Sequence, residues 1–269
     1  LSWQGFRVTG VVNIPPPPGA TTAKRMQSNM RCVFVGLEYS GKSTLIDLLT
    51  AYYRQRSLRV HGDDHFTIPD STLSPESRAA YVDYPNDVKE RLQRMQLQYH
   101  VEVMRNYDHV MIAGWHIEEA IYSEMYGEDP ENPYYPRYAY RHQRLYEVQV
   151  LESRLPDVVL IHVTASDDKI RARMAEQPHQ YPIIKSDDVP ELRQRFAAEV
   201  DKSLFTHKGL LVEIDTTDST PQQSLDELLG KTEPLITQGE LALRHLPVPE
   251  GPYDVVYENG ERRMVPKSE

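Results

Sequence analysis

A nine-residue stretch in the first fifth of the chain combines glycine, lysine and hydroxyl residues at a spacing suited to phosphate binding. Residues 36–44 read GLEYSGKST, which fits the pattern G-x-x-x-x-G-K-[ST]. Gly36 and Gly41 let the backbone turn back so that its N–H groups surround phosphates, while Lys42 reaches the β- and γ-phosphates and Ser43 ligates Mg²⁺. We therefore predict a nucleoside triphosphate site. Its predicted binding residues are Gly36, Glu38, Tyr39, Ser40, Gly41, Lys42, Ser43 and Thr44.

The segments on either side of this loop have the composition that the motif requires. The run RCVFV at 31–35 is short and almost continuously apolar, which is typical of a buried parallel strand. The run LIDLL at 45–49 begins an amphipathic helix. A strand before the loop and a helix after it favour a phosphate-binding loop over a flexible glycine turn.

Motifs that the chain lacks narrow down the class of nucleotide-binding protein to which it could belong. The chain lacks the Asp-x-x-Gly and Asn/Thr-Lys-x-Asp motifs of GTPases, the serine-glycine-glycine signature of ABC-type ATPases, and the apolar strand ending in Asp-Glu of AAA-type ATPases. The length of 269 residues suits a small-molecule kinase with additions. The sequence therefore favours a kinase.

Strand-like and helix-like segments alternate along the chain. Short apolar runs predict strands at 58–61, 108–113, 158–163 and 210–214. Helical patterns cover 86–107, 145–155, 188–204 and 221–229, Ser166 caps a further helix, and the polar segment 177–187 resembles a lid. In the helix at 86–107 the periodic apolar positions are Val88, Leu92, Met95, Tyr99, Val103 and Met104. This alternation predicts an α/β fold with a parallel sheet.

The chain resembles the thymidylate kinase and deoxynucleoside kinase group of P-loop kinases over about residues 30–230. The resemblance rests on GLEYSGKST (36–44), LPDVVLIHV (155–163), DDKIRARM (167–174) and VEIDTT (212–217). It implies a three-layer α/β/α P-loop fold with a five-stranded parallel sheet, and an ATP site with Mg²⁺. It also implies a nucleoside or nucleotide acceptor between long helices, a lid whose arginines approach the transferred phosphoryl group, and a homodimer paired through long helices.

One motif of that group is missing. The third strand is followed by AGWHIEE (113–119), where the group has an acid–arginine pair that grips the acceptor or holds Mg²⁺. Glu118 or Glu119 could supply the missing acid. Three interpretations stay open: a nucleoside or nucleotide kinase, a kinase of a polynucleotide or of a modified nucleobase in DNA, and a non-catalytic ATP-binding regulatory protein.

The remaining candidate residues follow the predicted strands. Asp63 and Asp64 come after the second strand, where a carboxylate could orient or deprotonate an acceptor hydroxyl, or where they form a solvated turn. Arg171 and Arg173 could stabilise the charge of the transition state or lie on a surface helix. The predicted catalytic residues are Lys42, Asp63, Asp64, Arg171 and Arg173, and His116 and Glu118 are predicted to bind the acceptor unless they simply begin a helix.

A segment rich in tyrosine and arginine at 134–146 is a further candidate for binding a nucleobase and a phosphate. Arg137, Arg141 and Arg144 share one helical face, and with Tyr138 they could stack a base and hold a phosphate. We take Arg137, Tyr138 and Arg141 as acceptor-binding candidates. The segment could instead contact a single-stranded nucleic acid, or pack its rings in the core.

Composition and the chain ends set further limits. One cysteine excludes an internal disulfide and a cysteine zinc site, and a net charge of −10 argues against a general duplex-binding protein. No apolar run approaches the roughly 20 residues of a membrane span, so we expect a cytoplasmic protein without membrane contact.

We predict a disordered or non-native proline-rich extension at 1–29, a kinase domain at 30–232, and a C-terminal helix and β-hairpin at 233–269 around Asn259-Gly260.

Overall fold

The core of the protein is a five-stranded parallel sheet. The computed structural model describes residues 28–64, 74–126, 150–155, 157–179, 182–248, 253–258 and 261–266. The strands are β1 (Arg31–Val35), β2 (His61–Asp64), β3 (Val110–Ala113), β4 (Val159–Thr164) and β5 (Leu211–Asp215). Their order is β2-β3-β1-β4-β5, and every neighbouring pair is parallel. The predicted sheet is confirmed.

Helices cover the sheet and complete a three-layer α/β/α architecture. They are α1 (Lys42–Gln55), α2 (Pro75–Val82), α3 (Asn86–Asn106), α4 (His116–Tyr126), α5 (Asp167–Glu176), α6 (Val189–Asp201), α7 (Leu204–His207), α8 (Pro221–Thr232) and α9 (Gln238–Arg244). Short 3₁₀ turns lie at Ser186–Asp188 and Glu233–Leu235, and residues 150–153 are also helical. Helix α1 packs against α8, and α4 packs against α6.

Local sequence explains where these elements begin and why they are buried. The central strand β1 is buried from Cys32 to Val35, as expected for a strand covered on both faces. Ser166 caps α5 by accepting from the Lys169 N–H, as predicted. A capping box between Thr220 and Gln223 begins α8.

The second strand begins three residues later than predicted. The sequence indicated a strand at 58–61, whereas β2 begins at His61 because its parallel pairing with β3 starts at the His61–Val110 pair. Asp63 and Asp64 therefore form the end of this strand, opposite Ile112 and Ala113, and do not follow it. Pairing with a neighbouring strand here overrides the weak strand preference of Gly and Asp.

Helix α3 is present as predicted, but it buries a different face from the one that its apolar pattern suggests. Four of the apolar positions, Val88, Leu92, Met95 and Tyr99, are 40–63% exposed. The buried residues of α3 are Lys89, Gln93, Leu97, His100, Val101, Val103 and Met104. The second half of the helix sets its orientation, because Leu97, Val101 and Met104 lie on one face and join the hydrophobic core.

Residues on either side of the predicted 30–232 domain pack against it. Ser28 is buried, its hydroxyl oxygen accepts from the Arg31 N–H at 2.9 Å, and it forms a parallel bridge with Ile236. Arg244 of α9 is also buried and donates hydrogen bonds to the Tyr53 hydroxyl at 2.8 Å and to the Leu229 carbonyl at 3.1 Å. The division into three segments stays a prediction, but Ser28 and α9 belong structurally to the core.

The predicted C-terminal hairpin is confirmed as an antiparallel pair. Strands β6 (Tyr253–Glu258) and β7 (Glu261–Pro266) pair from Tyr253–Pro266 to Glu258–Glu261. Asn259 and Gly260 lie outside the described residues. Within the part of the chain that the structure describes, no helix is long and apolar enough to cross a membrane.

Candidate functional site

The loop between β1 and α1 has the backbone geometry that its glycines predict. Gly36 has φ +150°, and a Cβ added there would lie 2.1 Å from the Val163 carbonyl oxygen of β4. Gly41 has φ +99° and directly precedes the first residue of α1. Glycine is required at 36 because any side chain would collide with the neighbouring strand.

The loop ends at a helix N-terminus that is open to solvent. Lys42 begins α1, and Ser43 and Thr44 are exposed in its first turn. The first N–H groups of a helix have no partner within the helix, and the helix dipole adds positive potential there. Ser43 and Thr44 are therefore accessible at this helix N-terminus, whereas Gly36 and Ser40 of the loop are buried.

Glu118 from α4 reaches into this site. Its Oε1 lies 2.5 Å from the Lys42 Nζ and accepts a hydrogen bond from the Gly36 N–H at 3.1 Å. Lys42 also donates to the Gly36 carbonyl oxygen. The Glu118 side chain is buried, so this contact between opposite charges is shielded from water. The structure thus brings a carboxylate from beyond β3 to the lysine of the loop.

Arg173 braces the loop from the side of α5. It donates to the Tyr39 carbonyl at 2.8 Å, the Thr216 hydroxyl at 3.0 Å and the Thr216 carbonyl at 2.9 Å. The Thr216 hydroxyl in turn donates to the Ser40 carbonyl at 2.6 Å. Partial burial lowers the pKa of the Arg173 guanidinium. The contacts of this predicted catalytic residue hold the loop and the turn after β5 together.

Arg171, the second arginine predicted to act in catalysis, contacts the lid. Its Nε donates to the Ser186 carbonyl at 3.3 Å, and its Nη1 lies 3.7 Å from Asp168. Glu38 and Tyr39 of the loop also direct their side chains to the lid segment, through Ile183, Ile184 and His179.

His116 lies in the interior and does not join Glu118 at the loop. Its Nε2 is 2.8 Å from Glu152 Oε1, which also accepts from the Ser203 hydroxyl at 2.9 Å. Burial raises the pKa of Glu152, but the bonds from His116, Leu204 and Ser203 outweigh it and hold the pKa below its ordinary value. His116 therefore joins the start of α4 to the helical residues 150–153 and to α7.

A buried polar group between α3 and α4 contains Glu119, which the sequence offered as an acid, and two residues that sequence reasoning missed, Lys89 and Gln93. The Gln93 Nε2 donates to Glu119 Oε1 at 3.1 Å, and both side chains are buried. Lys89, one turn before Gln93, is also buried, and burial lowers the pKa of its ammonium. The spacing of Lys89, Gln93 and Leu97 by four residues was the available signal, since it places them on one helical face.

The other predicted residues are described only in part. Asp63 and Asp64 end β2 at the same sheet edge as the loop, because parallel strands end together, but their side chains lie outside the described residues. Arg137, Tyr138 and Arg141 lie in 127–149, which is also outside them.

The solved structures that are similar to this chain include two kinases. Thymidylate kinase from Candida albicans matches with a TM-score of 0.54 at 12% identity, over 88% of this chain and 97% of that chain. The YorR protein of Bacillus subtilis, solved with phosphorylated GDP, has a TM-score of 0.48 at 12% identity, over 76% of this chain and 96% of its own. Deoxyadenosine kinase from M. mycoides has a TM-score of 0.47 at 12% identity, over 75% of this chain and 98% of its own.

Sequence comparisons add no relatives to this structural likeness. No protein-family model matches the chain, and no curated protein is similar to it. The likeness to the Candida enzyme confirms the predicted P-loop kinase fold.

Proposed function

We propose that this protein transfers the γ-phosphoryl group of ATP to a nucleoside, a nucleotide or a related small acceptor. The observation that carries the proposal is the contact between Lys42 and Glu118 beside Gly36. A lysine held at the phosphate-binding loop by a buried carboxylate is what a phosphotransferase needs, because charge neutralisation and positioning supply most of its catalysis. The P-loop kinase fold supports the same conclusion.

The loop residues would bind the triphosphate through several groups at once. The first N–H groups of α1, which have no partner within the helix, provide donors for the phosphate oxygens. The Lys42 ammonium exchanges its contact with Glu118 for the β- and γ-phosphates when ATP enters. Arg173 keeps the loop in its bound shape through Tyr39 and Thr216.

The donors at the loop fit Mg²⁺. Ser43 supplies a hydroxyl and Glu118 a carboxylate, and Mg²⁺ prefers oxygen ligands and takes few of them from the protein when phosphates are present. When bound, the ion neutralises charge on the phosphates. Glu118 thus supplies the acid that the sequence lacks directly after β3.

The buried polar group between α3 and α4 is our candidate for the acceptor site. Gln93 of α3 offers an amide. Glu119, the residue after Glu118 in α4, offers a carboxylate. A hydroxyl oxygen of a nucleoside, or a phosphate oxygen of a nucleotide, attacks the γ-phosphorus, the bond to the β,γ-bridging oxygen breaks, and ADP leaves. Asp63 or Asp64 takes the hydroxyl proton in this scheme, since both end β2 at the same edge.

Labelled transfer from γ-labelled ATP tests the proposal. We expect labelled product with at least one member of a panel of nucleosides and nucleotides, and loss of that product in the Lys42→Ala variant. Product formed by both the Asp63→Ala and Asp64→Ala variants at the unaltered rate would contradict the assigned base. Label found only on single-stranded oligonucleotides would favour the polynucleotide or modified-nucleobase kinase. Label on no acceptor would favour the regulatory protein.

A further inference from the structure

Two residues of the phosphate-binding loop contact the lid segment (residues 177–187) through their side chains. On the loop these are Glu38 and Tyr39, and on the lid segment they meet His179, Ile183 and Ile184. We call these five residues the lid clasp. Residues 180–181 lie outside the described residues.

The first half of the clasp is formed by Tyr39. Its ring stacks on the His179 ring with centroids 3.9 Å apart and an interplanar angle of 19°. Its hydroxyl oxygen accepts from the His179 N–H at 2.9 Å, and its carbonyl accepts from Arg173 at 2.8 Å. Tyr39 has φ +64°, a conformation that non-glycine residues seldom adopt. These contacts retain it in that conformation.

The second half of the clasp is formed by the Glu38 carboxylate. Its Oε2 accepts from two successive backbone groups, the Ile183 N–H at 3.1 Å and the Ile184 N–H at 3.3 Å. Its Oε1 lies 3.4 Å from His179 Nδ1. The carboxylate is only 11% exposed, and both isoleucines are buried. Successive N–H groups aimed at one carboxylate oxygen form a strong anion contact in such a setting.

The clasp ties the position of the lid to the conformation of the phosphate-binding loop. Glu38 and Tyr39 are consecutive residues in the middle of the loop whose N–H groups would surround the phosphates. The Glu38 N–H itself donates to the Tyr122 hydroxyl of α4 at 3.3 Å. Because Glu38 and Tyr39 are adjacent, both anchors of the lid segment depend on the conformation of the same part of the loop.

We infer that Glu38 and Tyr39 are positioning residues that hold the lid segment over the phosphate-binding loop for phosphoryl transfer, an inference that rests on the proposed function. They were predicted to bind nucleotide, and their side chains act here through the lid.

Amide hydrogen exchange at Ile183 and Ile184 tests the clasp without any need for transfer activity. We expect exchange there to rise about ten-fold in Glu38→Ala, because the opening of a local segment becomes easier when its charge-assisted hydrogen bonds are lost. Tyr39→Ala should raise it similarly, and Tyr39→Phe less, because the stacking is retained. Asp187→Asn is the matched control, since it removes an exposed carboxylate on the same segment.

Exchange in β1 and β4 reports whether each variant keeps its core. Unaltered exchange at Ile183 and Ile184 in both alanine variants would overturn the clasp. In a chain that transfers phosphate, we further expect Glu38→Ala to lower kcat about ten-fold while KM for ATP changes less than about three-fold. Raised exchange with unaltered kcat would overturn the positioning role. If the unaltered protein transfers no phosphate, the proposed function fails, and the exchange measurement still decides the clasp.

Discussion

The Lys42 ammonium lies 2.5 Å from the Glu118 carboxylate, although the two residues are 76 positions apart in the sequence. The contact joins the first turn of α1 to the first turn of α4, at the edge of the sheet where β1 and β3 both end. It places a carboxylate of α4 where the loop would hold phosphates, and the proposed reaction depends on it.

Glu118→Gln should separate nucleotide binding from transfer. The amide keeps the shape of the side chain but loses the charge that positions Lys42 and fits Mg²⁺, so we expect transfer to fall about 100-fold. Nucleotide affinity, measured by calorimetry, should change only a few-fold. Glu124→Gln on the same helix is the control, because that side chain is 53% exposed. Equal rates in both variants would contradict the role of Glu118.

Gly36→Ala should lower both stability and nucleotide binding. The added methyl group would meet the Val163 carbonyl at 2.1 Å, so we expect a loss of about 2 kcal/mol or more in the free energy of unfolding. Gly230→Ala is a matched control, because an added Cβ there would meet no atom within 4 Å apart from its chain neighbours and the backbone of its own helix. Since Gly230 lies within α8, this control should gain about 0.5–1 kcal/mol. Denaturant unfolding measures both changes.

Arg244→Ala should destabilise the protein strongly, because Arg244 joins α9 to the core. The change removes two hydrogen bonds in a buried site, one to the Tyr53 hydroxyl and one to the Leu229 carbonyl. Burial raises the pKa of the Tyr53 phenol, and the positive charge of Arg244 opposes that rise; the variant removes this charge. We expect a loss of about 2–4 kcal/mol by chemical denaturation. The control Arg105→Ala changes a side chain that is 55% exposed. A loss no larger than that of the control would contradict a stabilising role of the Arg244 hydrogen bonds.

His162 should make stability fall under mildly acidic conditions. Burial lowers the pKa of His162 below its ordinary value of 6.5, although Glu213 at 3.5 Å opposes the shift. Protonation therefore favours the unfolded chain: this contribution is complete above about pH 6.5 and is lost as the pH falls from there toward the folded pKa. In His162→Gln we expect a weaker fall of the unfolding free energy between pH 7 and pH 5. An unaltered pH profile would contradict the assignment.

Most of the sheet could be predicted because its strands carry their signal locally. Buried strands such as β1 and β4 are continuous apolar runs, so their positions follow from composition within a few residues. β2 has no such run, and only its pairing with β3 locates Asp63 and Asp64 within it. The apolar pattern of α3 predicted the helix but not its buried face, because Leu97 and Met104 set that orientation by packing in the core.

The sequence by itself determined the phosphate-binding loop, because motif, preceding strand and following helix are contiguous and Gly36 and Gly41 meet purely local backbone demands. Only the tertiary structure decided which distant side chains meet that loop. Glu118 reaches Lys42, His116 two residues earlier turns into the interior, and Glu38 reaches the lid. The physical reason is that a helix directs neighbouring residues to different faces, and packing against the sheet determines which face meets the site.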